Sequence, residues 1–137
     1  MISCIVLTHA DLGFGLKNAL EGMMGKQEAF SVISNTGKGK EDLIGTLQKE
    51  VEQNNNDGVV IFVDMIGSSC WYTAKKVASG IRDGLNSKST NPLGIAIITG
   101  VNLPMLVKFF SSRDSLSFSR LVVSIRQEGE KGIVAEN

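Results

Sequence analysis

Residues 59–69 read Val59-Val60-Ile61-Phe62-Val63-Asp64-Met65-Ile66-Gly67-Ser68-Ser69. Five consecutive apolar, mostly β-branched residues with no polar alternation describe a strand covered on both faces, as a parallel sheet requires. The run stops at a carboxylate and enters a Gly-Ser-Ser turn. Ser69 then stands as a natural N-cap for a helix carrying Trp71, Ala74, Val77, Ala78 and Ile81. The opening segment repeats the pattern. Met1 to Leu7 is short and apolar, and it stops at the polar group Thr8-His9-Ala10-Asp11. From Leu12 the apolar residues Leu16, Ala19, Leu20, Met23 and Met24 recur mostly at helical spacing, which predicts an amphipathic helix ended by Gly25, with both methionines in the core.

Phe30 to Ile33 is a second short strand. A polar Asn35–Lys40 turn follows, and Leu43, Ile44, Leu47 and Val51 mark a second helix, broken by the run Asn54–Gly58. Beyond the Ser69 helix, the polar stretch Asn86–Pro92 reads as a loop and Leu93–Ile98 as a fourth buried strand. Short helices are expected over about Leu103–Phe110 and Phe118–Glu128, with the serine-rich Ser111–Ser117 between them. Ile133-Val134 is a candidate edge strand. Four apolar strands alternating with helices mean an α/β doubly wound sheet with right-handed crossovers, all within one domain spanning 1–137.

Composition narrows the function. Fourteen Lys plus Arg balance fourteen Asp plus Glu, so no global charge favours nucleic acid or an anionic membrane. No apolar run approaches a membrane span, and the amino terminus lacks a secretory pattern, which leads us to expect a soluble protein of the cytoplasm. Two cysteines and one histidine provide neither a disulfide framework nor a zinc set, so no metal and no cofactor are expected. His9 is left as the one imidazole in the chain.

In open α/β sheets the reactive crevice lies beyond the carboxyl ends of the strands, where strand order reverses. His9 leaves strand one there and Asp64 leaves strand three. With the order 2-1-3-4 these strands are neighbours, and the two side chains can touch. A carboxylate bonded to one ring N–H fixes the tautomer and leaves the other nitrogen's lone pair free to attack. Phosphoryl transfer also needs donors for the equatorial oxygens. Amides of Gly67, Ser68 and Ser69 at a helix start offer them without a metal, and the hydroxyls of Ser69 and Thr8 can add to them. Each residue has a plainer structural use as well, as a turn former or a helix cap. Cys4, in mid-strand, reads as a core residue, and Cys70 reads as structural despite its place at a helix start.

At this point the residues resemble a known family, the enzyme IIA domain of the mannose-type sugar phosphotransferase system. Thr8-His9 after strand one resembles its phosphorylated histidine segment, and Gly25-Lys26-Gln27-Glu28 its Gly-x-Gln-Glu turn. Val63-Asp64 with Gly67 and Ser69 resembles its Asp-x-x-Gly-Gly-Ser-Pro loop. Thr99-Gly100-Val101-Asn102-Leu103-Pro104-Met105-Leu106 is similar to the family's Thr-Gly-Val-Asn-Leu-Pro-Met-Leu, and Glu130-Lys131-Gly132-Ile133 fits its ending. Five motifs in order cover nearly the whole chain.

The resemblance implies a flavodoxin-like domain that accepts a phosphoryl group on His9 from the phosphocarrier HPr and passes it to an enzyme IIB partner for sugar uptake. It makes Asp64 the orienting carboxylate, and Ser69 with the Gly67 and Ser68 amides the phosphoryl cradle. It also implies a homodimer that exchanges a carboxyl-terminal strand, here Ile133-Val134. Ala10 stands where the family usually has Gly, and Gly67-Ser68-Ser69-Cys70-Trp71-Tyr72 replaces its Gly-Gly-Ser-Pro-Phe-Asn. Bulky Trp71 and Tyr72 fall where a partner docks, with Phe14 as a further contact. The competing readings are the phosphotransfer subunit of a dihydroxyacetone kinase and a regulatory binding module switched by phosphorylation of His9. Flavin or nucleotide binding rests on fold alone, because strand one lacks a phosphate-binding loop.

Overall fold

The computed structural model describes residues 1–54, 57–85 and 94–137. The expected Asn86–Pro92 loop, Leu93, and Asn55 and Asn56 lie outside the described residues. The elements run β1 (Ser3–Thr8), α1 (Leu12–Met24), β2 (Phe30–Ser34), α2 (Lys40–Gln53), β3 (Val59–Val63), α3 (Ser69–Leu85), β4 (Ile95–Ile98), α4 (Leu103–Ser112) and α5 (Phe118–Lys131). The strands form one parallel sheet in the order β2-β1-β3-β4. Cys4 pairs with Val60 and Leu7 with Val63 across the central two strands, so β1 and β3 end side by side.

The uninterrupted apolar runs are explained by burial on both faces. Cys4, Val6, Val60 and Phe62 point into a core closed by α1, α4 and α5, where Leu20, Leu106, Phe109, Leu121 and Ile125 meet them. Ile5, Leu7, Ile61 and Val63 point the other way, against Leu43, Leu47 and Val51 of α2 and Ala74, Val77 and Ala78 of α3. Successive strand residues thus alternate between two separate cores, as the pleat dictates.

Four expectations change in detail. Met23 is 58% exposed, and only Met24 of that pair packs on the core, because α1 buries a narrow stripe centred on Leu20. Helix α2 starts at Lys40, within the expected turn. Ser68, and not Ser69, caps α3: its Oγ accepts the Trp71 amide at 3.3 Å and its carbonyl accepts the Tyr72 amide at 3.0 Å. Finally, Ile133 and Val134 add no strand to this chain's sheet. They lie beyond α5 in irregular backbone and are among the most exposed apolar residues described.

A buried cation absent from the sequence reading ties the fold together. Arg113, at the end of α4, is 6% exposed and donates to the carbonyls of Ile2 at 3.3 Å and Glu28 at 2.8 Å. Its guanidinium also faces the Phe110 ring at 4.9 Å.

Candidate functional site

Parallel pairing of β1 with β3 brings the residues that follow them together. The Nδ1 of His9 lies 2.7 Å from Oδ2 of Asp64, and the same oxygen accepts the His9 backbone N–H at 3.0 Å. Oδ1 of Asp64 accepts the Met65 amide at 3.0 Å, so both carboxylate oxygens are engaged. Burial alone pushes the Asp64 carboxyl up, but the His9 backbone N–H, the ring N–H, its charge and the Met65 amide together outweigh burial and hold it below its ordinary value. An ionised acceptor at Nδ1 makes that nitrogen the proton carrier and leaves the Nε2 lone pair free. The side chain of His9 is 41% exposed and that of Asp64 only 12%, so the imidazole is open to solvent while the carboxylate beside it is shielded.

The backbone around the histidine is shaped by its neighbours. Ala10 adopts a left-handed φ of +48°, a conformation that L residues with a Cβ avoid. Asn35, just past β2, holds it there by accepting the Ala10 amide at 3.1 Å on Oδ1, while the Ser34 hydroxyl donates to the Ala10 carbonyl at 2.8 Å. Nothing in the sequence pattern marks Asn35 beyond its place after a strand.

Helix α3 starts beside the imidazole, with Cys70 Sγ 3.9 Å from His9 Nδ1. Among the described residues, no protein group accepts from the backbone amides of Gly67, Ser69 or Cys70, whereas the Ser68 amide is used by the Met65 carbonyl at 3.3 Å. The Ser68 hydroxyl is also occupied, donating to that carbonyl at 2.7 Å. Gly67 turns the chain into the helix at φ +81°, which a side chain there opposes. Thr8 is fully buried, and its Oγ1 accepts the Gly13 amide at 2.8 Å, pinning the start of α1 to the end of β1. The structure therefore sets His9 against Asp64 and Cys70, puts Gly67 in the turn that leads from Asp64 into α3, makes Ser68 the cap of that helix and Ser69 its first residue, and bonds Thr8 to Gly13.

His9, Asp64 and Cys70 put three metal-ligand atoms within 4.8 Å of one another. The donor set does not suit a resident ion. The Nδ1 and Oδ2 atoms already share a proton at hydrogen-bond distance, and burial, then the nearby Asp64 charge, raise the Cys70 thiol to about 11. Trp71 packs partly against the α2–α3 core beneath the Lys75 ammonium, 4.4 Å from its ring centroid, whereas Tyr72 is exposed. Leu12 and Phe14, at the start of α1, and Met65 and Ile66, just after Asp64, are also exposed apolar residues.

A family model described as the PTS system fructose IIA component matches residues 3–126. The chain belongs to this family. Its fold agrees with that of a phosphotransferase system component EIIA from Streptococcus agalactiae, with 25% identity, a TM-score of 0.81, and coverage of 98% of this chain and 97% of that one. Two further structures share the fold at lower identity. The PTS IIA protein associated with the fucose utilization operon from Streptococcus pneumoniae is 21% identical, with a TM-score of 0.73 over 98% of this chain and 92% of that one. The mannose/sorbose specific IIA subunit from Enterococcus faecalis is 13% identical, with a TM-score of 0.76 over 98% and 94%. This IIA chain is thus a phosphotransferase-system component, and among its described residues no helix is long and apolar enough to cross a membrane.

Proposed function

We propose that this IIA chain is a histidine phosphocarrier that accepts a phosphoryl group from phospho-HPr on Nε2 of His9 and passes it to an enzyme IIB. The observation that carries the reading is the 2.7 Å contact of Asp64 Oδ2 with Nδ1, which leaves Nε2 as the available nucleophile. In the forward step the Nε2 lone pair attacks phosphorus as the donor's nitrogen–phosphorus bond breaks. The ring keeps its Nδ1 proton, and the positive charge it gains faces the Asp64 carboxylate. The unoccupied Gly67 and Ser69 amides and the Ser69 hydroxyl receive the equatorial oxygens, with the Cys70 amide as a further donor. Thr8 supports this arrangement from below through Gly13. The step uses no metal or organic cofactor.

The exposed apolar side chains Phe14, Ile66 and Tyr72 suit brief docking of protein partners. Ile133 and Val134 supply the segment that a second copy exchanges in the proposed homodimer. β4 is an outer strand of the sheet, and a groove of about 440 Å³ runs beside it, lined by Ile97, Thr99 and Ile133.

Onward transfer separates this function from its competitors. With phospho-HPr as donor, the labelled chain is expected to lose its phosphoryl group to a mannose-class IIB and not to a nucleotide-loaded dihydroxyacetone kinase subunit. Transfer only to the kinase overturns the sugar-uptake assignment. A phosphohistidine that no IIB removes, but that alters binding of another protein, overturns the carrier role in favour of a regulatory switch.

A further inference from the structure

A cleft of about 670 Å³ lies between the start of α2 and the adjoining face of α3, a volume typical of small-molecule sites. Its apolar surface comes from Leu43 and Ile44 of α2 and from Tyr72 of α3. Lys38, Lys40, Lys75 and Lys76 line the same cleft, and among the described residues no carboxylate does, since Glu41 and Asp42 in the first turn of α2 stay outside its lining. In a chain whose fourteen basic and fourteen acidic residues cancel, four ammonium groups around one concavity are a strong local excess.

Two of these cations are positioned by the protein itself. Lys38 Nζ donates to the Ser34 carbonyl at 3.1 Å, and Lys75 Nζ sits over the Trp71 ring at 4.4 Å. Held side chains lose less freedom when an anion arrives. Gly39, the N-cap of α2, also lines the cleft and has no side chain to bond the first-turn amides. We infer that this cleft binds a small organic phosphate, its phosphate among the lysines and its carbon body against Leu43, Ile44 and Tyr72. Inorganic phosphate leaves the apolar surface wet, and the acidic face of a protein meets a concavity of this size poorly.

The site is separate from the crevice yet shares its walls. Asn35 lines the cleft and holds the Ala10 amide, one residue from His9. Ser69 lines it too, next to Cys70, whose sulfur touches the imidazole. An occupant is therefore felt at the histidine loop. The binding claim itself does not rest on the phosphocarrier reading.

The test is amide NMR on the full chain at about 0.15 M salt, titrated separately with fructose 1,6-bisphosphate, ADP and inorganic phosphate. At least one organic phosphate is expected to give saturable shifts in Lys38–Ile44 and Tyr72–Ser79, with a smaller shift at Ala10, and to bind about tenfold more tightly than inorganic phosphate. The two organic arms distinguish a phosphosugar from a nucleotide. The double variant Lys40→Gln/Lys76→Gln, folded by its amide spectrum, is expected to weaken binding at least about fivefold. Organic phosphates binding no better than inorganic phosphate, shifts mapping elsewhere, or shifts surviving the double variant overturn the proposal. So does an acidic peptide that binds the cleft more tightly than either organic phosphate. Each readout is independent of phosphotransfer, so failure here and failure of the carrier reading are distinguishable.

Discussion

Asp64 carries two tasks through one oxygen, bonding both the backbone and the ring of His9. Asp64→Asn removes the charge that faces the phosphorylated ring and allows the amide to turn its NH2 toward Nδ1. Phosphoryl acceptance by the folded variant is expected to fall roughly 10- to 1,000-fold in a single-turnover assay. The same group links stability to pH. Its carboxyl is held below the ordinary value of 3.8 in the folded chain. The stabilisation is therefore complete above the unfolded value and is lost as pH falls through the lower folded value. Urea midpoints measured between about pH 5 and pH 3 should decline less steeply in Asp64→Asn than in the native chain. Ala10 offers a test of opposite sign. Its φ of +48° is strained, so Ala10→Gly is expected to leave stability unchanged or raise it by up to about 1 kcal/mol in urea unfolding. Both thiols are buried and shifted upward, Cys70 to about 11, so iodoacetamide at pH 8 should label neither in the native protein and both after denaturation.

At the scale of elements, the Thr99–Leu106 motif that resembles the family's is architectural. Asn102 caps α4 by accepting the Met105 amide at 3.0 Å and reaches across to the Gly129 carbonyl of α5 at 3.2 Å. The Val101 amide adds a bond to the end of β3 at 3.1 Å. A side chain at Gly129 strikes Met105, which explains the glycine in mid-helix. Asn102→Ala should destabilise the chain by about 1–2 kcal/mol in thermal or urea melts without displacing His9. The strands were legible from their unbroken apolar runs, and the His9–Asp64 contact followed from strand order alone. The cap of α3 was not, since Ser68 and Ser69 offer the same chemistry and only backbone geometry chooses between them. Asn35 and Arg113 were hidden for a related reason. Each acts on segments distant in sequence, and no local periodicity records such a bond. Thr8 stood next to the histidine in sequence, but strand alternation turned its hydroxyl away from the crevice and onto Gly13.

For the whole molecule, the balance of charges matters most. In the proposed carrier cycle, phosphorylation adds close to two negative charges to a chain whose formal charge is zero. The exposed tail also makes assembly testable. Ultracentrifugation should find a dimer that Ile133→Asp/Val134→Asp converts to monomer, and an unchanged sedimentation coefficient contradicts tail exchange. The central claim is that Nε2 of His9 is the phosphoryl acceptor. Incubation with phosphoenolpyruvate, enzyme I and HPr, followed by phosphorus NMR and intact mass, tests it most directly. The expected result is one acid-labile phosphoryl group per chain, bonded to Nε2 and absent from His9→Ala. An unmodified native chain, an Nδ1 adduct, or an adduct that persists in His9→Ala contradicts the claim.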